Sequence, residues 1–389
     1  MTESKELELY FHIPFCVRKC LYCDFLSAPA KESEKRQYME TLIRETEGRA
    51  EVCREYLVTS VFIGGGTPSL VETKQLEELL ETVRERYMLA SDAELTIEVN
   101  PGTVNREKLV RFRKAGLNRL SIGLQSADDR ELRDLGRIHT WEQFMACYEN
   151  ARQAGFNNIN VDVMSALPGQ SLVDYGRTLS AVLSLIPPPE HISAYSLILE
   201  EGTPFFEMAE AGRLSIPDED TDRAMYHETK RLLTQAGYQR YEISNYAREG
   251  FACRHNCGYW RRREYLGFGL GAASLMNNIR FKNTCDMKRY LADPIGCRED
   301  VAILSREEQM EEFMFLGLRL TEGVDPAEFA RLYGCSLEDI YGDVIQTNLK
   351  EGLLYLYQNK DDGRDQLALT DLGLDVSNYV MGQFLLGNI

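Results

Sequence analysis

The sequence predicts an α/β architecture, a partial (β/α)6 barrel followed by a smaller α+β, winged-helix-like module. Two observations carry this prediction. Through the first two hundred residues, short β-rich segments alternate with amphipathic helical patterns, as a chain of βα units with parallel strands requires. Beyond Leu304 the alternation gives way to helical patterns, a pair of short strands and a last helix.

The strands are expected at Leu7–Ile13, Ser60–Ile63, Leu95–Asn100, Arg119–Leu124, Ile159–Met164 and Ile192–Ile198. Between them lie amphipathic stretches at Lys74–Tyr87, Arg106–Ala115, Trp141–Ala154 and Leu172–Leu185. Several strands run into residues unsuited to a strand interior: Gly64-Gly65-Gly66, Asn100-Pro101-Gly102, Gln125-Ser126 and Leu167-Pro168-Gly169. These read as carboxyl-end loops, where α/β folds gather their ligands. Six βα units leave the barrel two short of eight, with a wide opening for a large ligand.

After Gly202 a long helix, Asp218–Ala236, leads into a strand of irregular sequence that continues through Asn283. Helices then follow at Glu307–Leu320, Pro326–Tyr333 and Leu337–Glu351, with two short strands around an Asp361-Asp362-Gly363 turn. The expected organisation is a barrel over 1–200, a barrel extension over 201–300 and the winged-helix-like module over 301–389. That last shape often binds DNA, yet residues 306–389 hold 6 Lys or Arg against 16 Asp or Glu, so a packing or docking role is expected.

The whole chain of 389 residues has a formal charge of −17, which disfavours nonspecific attraction to nucleic acid or to an anionic membrane. The amino terminus lacks a basic stretch leading into an apolar one, and no run of 18 apolar residues occurs. The expectation is a cytoplasmic protein without an integral membrane segment.

Ten cysteines over this length are too dilute for a secreted disulfide scaffold, and three crowd together. Cys16, Cys20 and Cys23 form C-x3-C-x2-C directly after the first strand. A zinc site needs a fourth ligand, such as a second C-x2-C pair, and none is evident. Three thiolates suit a [4Fe–4S] cluster with one iron left open to a small molecule carrying an amine and a carboxylate.

The segment YFHIPFCVRKCLYCDF resembles the signature of the radical S-adenosylmethionine superfamily, and its HIPFC flank is similar to the anaerobic coproporphyrinogen-III oxidase family. The resemblance implies that the methionine end of S-adenosylmethionine chelates the open iron. An electron from the reduced cluster then cleaves the sulfonium to a 5′-deoxyadenosyl radical. It further implies contacts to the methionine amine from Gly65, Gly66 and Thr67, and to ribose or amine from Glu98. Gln125 and Asp162 match further cofactor positions, Tyr10 and Tyr22 flank the cofactor, and Ser196 matches through its backbone. Arg137, in LGRIHT, matches an arginine that binds a second S-adenosylmethionine.

These residue types also make sense on their own. Glycines let a ligand approach the backbone, a glutamine donates and accepts toward hydroxyls, and Asp162, set among apolar residues, is expected inward and partnered. His12 is expected to position the cysteine loop.

Two departures narrow the resemblance. The oxidase pattern ends in C-x-C, whereas here Phe25 stands at the last position, and only fifteen residues precede Cys16. The C-x-F ending resembles instead the heme-chaperone, HemW-type branch. That branch implies heme binding by an H-N-x-x-Y-W motif, here His255, Tyr259 and Trp260, with no catalytic residue assigned. Flat aromatic faces and an imidazole suit a porphyrin and its iron. For Arg261, Arg262 and Arg263, propionate pairing competes with a solvated basic patch, and the patch is the expected outcome. Cys253 and Cys257 are read as buried or free thiols. Relatives often carry His where this chain has Ala273, so no role transfers to that position.

The expected function is that of a heme carrier delivering to an acceptor protein of unknown identity, with a [4Fe–4S] cluster, S-adenosylmethionine and heme as cofactors. The alternative is radical oxidative decarboxylation of coproporphyrinogen III.

Overall fold

The computed structural model describes residues 5–360 and 362–388, so Asp361 of the expected turn lies outside the described residues. Six parallel strands lie side by side in chain order: β1 (Lys5–Ile13), β2 (Tyr56–Gly65), β3 (Met88–Val99), β4 (Arg119–Gln125), β5 (Ile159–Ser165) and β6 (His191–Ser196). The returns are α1 (Glu32–Arg49), α2 (Thr73–Arg86), α3 (Arg106–Lys114), α4 (Asp129–Asp134) with α5 (Trp141–Gln153), and α6 (Leu172–Leu183). Asn105, Thr140 and Ser171 each cap a helix by accepting a backbone N–H three residues on, the usual device at a helix start.

Strand alternation sorts the side chains into two sets. Leu7, Leu9, Phe11 and Ile13 of β1 are fully buried in the main core. Glu8, Tyr10 and His12 take the opposite face, which lines the barrel interior. The helix α1 had no counterpart in the sequence reading. Its inner face carries Glu45 and Arg49, an enclosed ion pair at 3.0 Å, so its periodicity does not read as apolar.

The second half runs α7 (Pro204–Glu210), α8 (Glu219–Gln235), β7 (Gln239–Arg240), β8 (Asn245–Ala247), α9 (Arg254–Trp260), β9 (Tyr265–Phe268), β10 (Ala273–Met276), β11 (Ile279–Asn283), α10 (Met287–Ala292) and β12 (Arg298–Ile303). The single irregular strand expected up to Asn283 is therefore several short elements. Asn277 and Asn278 both adopt positive φ and turn β10 back onto β11, as a two-residue hairpin requires. Among the described residues the sheet has twelve strands, with β9 parallel to β1 at one edge of the six and β8 antiparallel to β6 at the other.

The remaining elements are α11 (Arg306–Gly317), α12 (Pro326–Tyr333), α13 (Leu337–Lys350), β13 (Leu354–Gln358), β14 (Asp365–Leu369), α14 (Asp371–Asp375) and α15 (Ser377–Gly382). They enclose a separate core around Met314, Leu318, Phe329, Leu354 and Phe384. Acidic side chains of this module meet basic ones of the barrel. Arg262 and Arg280 reach Glu312, Arg261 reaches Glu322, Arg223 reaches Asp375, and Lys230 and Arg240 reach Asp371. Part of the module's negative balance is thus spent on docking. Among the described residues, no helix is long and apolar enough to cross a membrane.

Candidate functional site

The chain leaves β1 at Ile13 and enters the loop that carries Cys16, Cys20 and Cys23. Backbone bonds from Cys16 N to the Ala28 carbonyl and from Ala28 N to the Pro14 carbonyl close the loop on itself. Leu21 N donates to the Leu135 carbonyl, and Arg18 donates to the Gly136 carbonyl at 2.8 Å, tying the loop to the end of α4. His12 completes the anchorage: Nε2 donates to the Leu26 carbonyl at 2.8 Å, which leaves Nδ1 to accept from the Tyr10 hydroxyl at 3.0 Å. Burial lowers the His12 pKa, in keeping with a neutral ring in these roles.

The Gly-rich turn after β2 presses against this loop. A Cβ on Gly65 would fall 2.7 Å from the His12 ring, and one on Gly66 would fall 2.7 Å from the Phe15 carbonyl and 3.0 Å from the Cys16 sulfur. Gly65 also sits at φ +114°, so the turn is closed to other residues on two counts. Thr67 donates to the Cys16 sulfur at 3.6 Å while accepting from Asn100 Nδ2 at 2.8 Å.

The three cysteines are free and partly exposed, and they line one recess of about 140 Å³ together with Tyr22, Gly65, Gly66, Thr67, Glu98, Gln125, Arg137 and Asp162. The strand ends therefore converge as expected for these residues. Burial pushes the Cys23 thiol up to about 11. Glu98 accepts from Gly65 N at 3.0 Å, and burial, aided by the nearby Asp162, pushes its carboxyl up to about 8. Asp162 accepts from Asn160 Nδ2 at 2.7 Å and from Ser121 Oγ at 3.4 Å, with burial raising its pKa. Gln125 holds φ at 75°, a left-handed conformation at an irregularity between β4 and β5, and lines the recess. Non-glycine residues in that region cost energy and cluster at functional sites.

Two expected cofactor residues, Tyr10 and Ser196, do not themselves line this recess. Tyr10 sits deeper in the barrel, its ring stacked at 6.3 Å from that of Phe62 and its hydroxyl spent on His12. Ser196 turns its hydroxyl onto the Asp222 carboxylate, at 2.8 and 2.9 Å, and lines a different cavity beneath α8. Ser193 faces Asn160 inside the barrel, so the side chain of Ser196, three residues on, faces out, while its backbone, the group the resemblance implicates, ends the strand. Asn100, Ser121 and Gly123 also line the recess and were missed. Of these only Asn100 carried a signal, at the head of its Asn-Pro-Gly turn.

Among the described residues, no three His, Cys, Asp or Glu side chains are gathered as a single metal ion would need. Three separated, partly exposed thiols on the rim of an open recess suit the wider span of an iron–sulfur cube. Phe25, 61 % exposed, stands on the same rim.

Residues 10–182 match the Radical SAM superfamily, and residues 304–375 match the HemN C-terminal domain. The chain is 37 % identical over 388 residues to a heme chaperone HemW of Lactococcus lactis, covering 99 % of both chains. It is 41 % identical over 392 residues to the heme chaperone HemW of Escherichia coli, covering 99 % of this chain and all of that one. The chain belongs to the HemW family. Its fold is also that of the coproporphyrinogen III oxidase HemN from Escherichia coli, with a TM-score of 0.84 and 22 % identity over 99 % of this chain and 91 % of that one.

In this HemW-family chain the H-N-x-x-Y-W segment forms α9, at the opposite end of the barrel from the cysteines. His255 and Tyr259, four residues apart, share a helical face, and His255 packs on the middle of β2 at Ser60 and Phe62. The two ring nitrogens of His255 are taken by Ser60 Oγ at 2.8 Å and the Tyr259 hydroxyl at 3.1 Å, and the residue is 2 % exposed. Burial, with the nearby Arg119, lowers its pKa to about 3 and keeps the ring neutral. Gly258 is seated on Glu8, where an added Cβ would come within 1.8 Å of the carboxylate. Trp260 lies under the Arg319 guanidinium at 4.2 Å.

In this structure the three residues expected to meet heme differ in what they face. The ring nitrogens of His255 and the hydroxyl of Tyr259 are turned onto the protein itself, while the half-buried Trp260 lines an open cavity with Arg261 and Arg263. Arg261, Arg262 and Arg263 are likewise engaged, by Glu322, Glu312 and Glu6, and Cys253 and Cys257 are buried.

Proposed function

We propose that this HemW-family chain is a cytoplasmic heme chaperone that binds heme and passes it to an acceptor protein. Cys16, Cys20 and Cys23 hold a [4Fe–4S] cluster, and the rest of the recess holds S-adenosylmethionine. The observation that carries this reading is the near-full-length similarity to curated heme chaperones, joined to a three-cysteine recess whose rim bears Phe25 where the oxidase signature has a fourth cysteine.

When bound, the cluster supplies an open iron for the amine and carboxylate of S-adenosylmethionine and a single electron. The chain's own residues do the rest. Gly65 and Gly66 bring backbone close to the ligand without a Cβ in the way, while Glu98 receives its amine or ribose. Gln125 and Asp162 face hydroxyl groups from two neighbouring strands. Heme contact by His255, Tyr259 and Trp260 belongs to this reading; Trp260 already lines a cavity, while both ring nitrogens of His255 are bonded to Ser60 and Tyr259.

The test is anaerobic reconstitution with iron and sulfide, followed by parallel incubations with hemin and with coproporphyrinogen III, S-adenosylmethionine and dithionite. Stoichiometric heme retention, release to apomyoglobin and no porphyrinogen turnover are expected. Formation of protoporphyrinogen by chromatography would overturn the carrier reading in favour of the oxidase.

A further inference from the structure

Asp162 is the recess end of a line of hydrogen bonds that crosses the barrel interior from the amide of Cys253, the residue before α9. That N–H donates to the Tyr241 hydroxyl at 3.3 Å. Tyr241 Oη lies 2.8 Å from His191 Nε2, His191 Nδ1 lies 2.6 Å from Asn160 Oδ1, and Asn160 Nδ2 donates to Asp162 Oδ1 at 2.7 Å. Strand register brings the members together, since His191 of β6 pairs with Asn160 of β5 and, two residues on, Ser193 pairs with Asp162 on the same inner face. His191 and Asn160 are both buried.

One end of the line fixes the protons along it. A backbone N–H can only donate, so the Tyr241 hydroxyl accepts from Cys253 and gives its own hydrogen to Nε2. Burial, with Arg119 nearby, holds the His191 pKa well below its ordinary value and the ring neutral, so its single hydrogen sits on Nδ1 and points at Asn160 Oδ1. The Asn160 amide is thereby set with its oxygen toward His191 and its nitrogen toward Asp162. Ser193 donates to Asn160 Oδ1 at 3.1 Å, and Ser121 accepts from Asn160 Nδ2 at 2.8 Å and donates to Asp162 Oδ2 at 3.4 Å. These hydroxyls serve either orientation of the amide, because each can donate or accept. The Nδ1–H of His191 can serve one only. Hydrogen bonds that run in one sense polarise one another, and these end on the carboxylate that lines the recess.

We propose that His191 is a positioning residue for the bound cofactor: through Asn160 it holds the Asp162 carboxylate as an acceptor for a hydroxyl group of the ligand, and Tyr241 sets the His191 tautomer that this requires. The proposal rests on the reading of the recess as an S-adenosylmethionine site. With the amide turned over, Asn160 would present its oxygen to Asp162, and two acceptors would meet where one donor is needed.

The experiment is calorimetric titration of S-adenosylmethionine into the full chain, reconstituted to equal iron content as wild type, His191→Leu and His191→Asn, each with Asp162 intact and with Asp162→Ala. His191→Leu is expected to weaken binding about tenfold, while Asn, which carries an N–H donor at the place of Nδ1, restores most of that loss. In the Asp162→Ala background the His191 variants are expected to bind alike. A loss that persists there would mark a merely structural effect and overturn the proposal, as would His191→Leu binding like wild type. Should His191→Leu fail to fold, Tyr241→Phe removes a single hydroxyl. Nitrogen-15 histidine spectra of the iron-free chain are then expected to show His191 protonated at Nδ1 in wild type and a mixture of tautomers in the variant, with weaker cofactor binding after reconstitution. A wild-type ring protonated at Nε2, or a Tyr241→Phe chain that binds like wild type, overturns the proposal. If Asp162→Ala alone leaves binding unchanged, the reading of Asp162 as a cofactor residue fails, and His191 has nothing to position.

Discussion

The two ends of the barrel handle chemically capable side chains in opposite ways. At the cysteine end, three thiols, two carboxyl groups and a glutamine amide face an open recess. At the α9 end, residues of the same kinds are consumed by one another. His255 bonds to Ser60 and Tyr259, and His191 bonds to Asn160 and Tyr241 at 2.6 and 2.8 Å. Among the described residues Glu8 departs from this most, with both carboxylate oxygens buried and without a hydrogen-bond partner, 3.8 Å from His255 Nδ1, and the buried Trp260 Nε1 and Arg319 Nε also lack one. The comparison teaches that residue type marks potential chemistry, while the satisfaction of its hydrogen bonds decides whether that chemistry faces a ligand.

The contrast is sharpest at two glycines. Gly258→Ala drives a Cβ into the Glu8 carboxylate and is expected to destabilise the whole chain by about 3 kcal/mol, read as a fall in Tm. Gly66→Ala collides with the Phe15 carbonyl and the Cys16 sulfur. It is expected to abolish iron uptake on reconstitution while leaving most of the melting temperature intact. Reversed outcomes would break the division between a structural floor and a cofactor mouth.

His255→Ala comes next. It strands Ser60 and Tyr259 and is expected to cost about 2 kcal/mol, with iron content unchanged. Absorbance titration with hemin then decides the motif's second role, because a variant that retains heme fully leaves α9 as floor alone.

The pH dependence probes the mouth. Glu98 titrates at about 8 in the folded chain, against an ordinary value of 4.5. The folded state therefore keeps a proton that the unfolded chain releases, so this group's contribution is full below about 4.5 and is lost as pH rises through 8. Glu98→Gln is expected to flatten the decline between those values, by at most about 5 kcal/mol, measured by denaturant melts of the iron-free chain.

The smallest effect is Gln125→Gly. Relief of the positive φ is expected to stabilise the chain by about 1 kcal/mol, while calorimetry on the reconstituted protein shows weakened S-adenosylmethionine binding. A gain in stability without that loss would make Gln125 a strained turn residue and nothing more.

Much of the mouth was legible because its signals are local. The cysteine spacing, the glycine turn and the polar residues at strand ends each lie within a few positions of one another, and the parallel register of β1 to β5 carries them to one recess. For Ser196 the sequence pointed to a backbone contact, and strand alternation then turns its side chain onto Asp222. The helix α1 failed because its buried Glu45–Arg49 pair looks solvent-facing in sequence. Asn100 was seen as a turn residue, although its side chain links Thr67 to Arg137.

By itself the sequence determined the alternation of βα units, the three-cysteine loop and the acidic character of the C-terminal module, all properties of neighbouring residues. Tertiary structure alone decided that β9 pairs with β1 and that His255 spends its ring on Ser60, 195 residues away. Periodicity and spacing report what a segment offers to its surroundings. Which surface meets it depends on how distant segments bury their polar groups together, and that is settled only when the chain has packed.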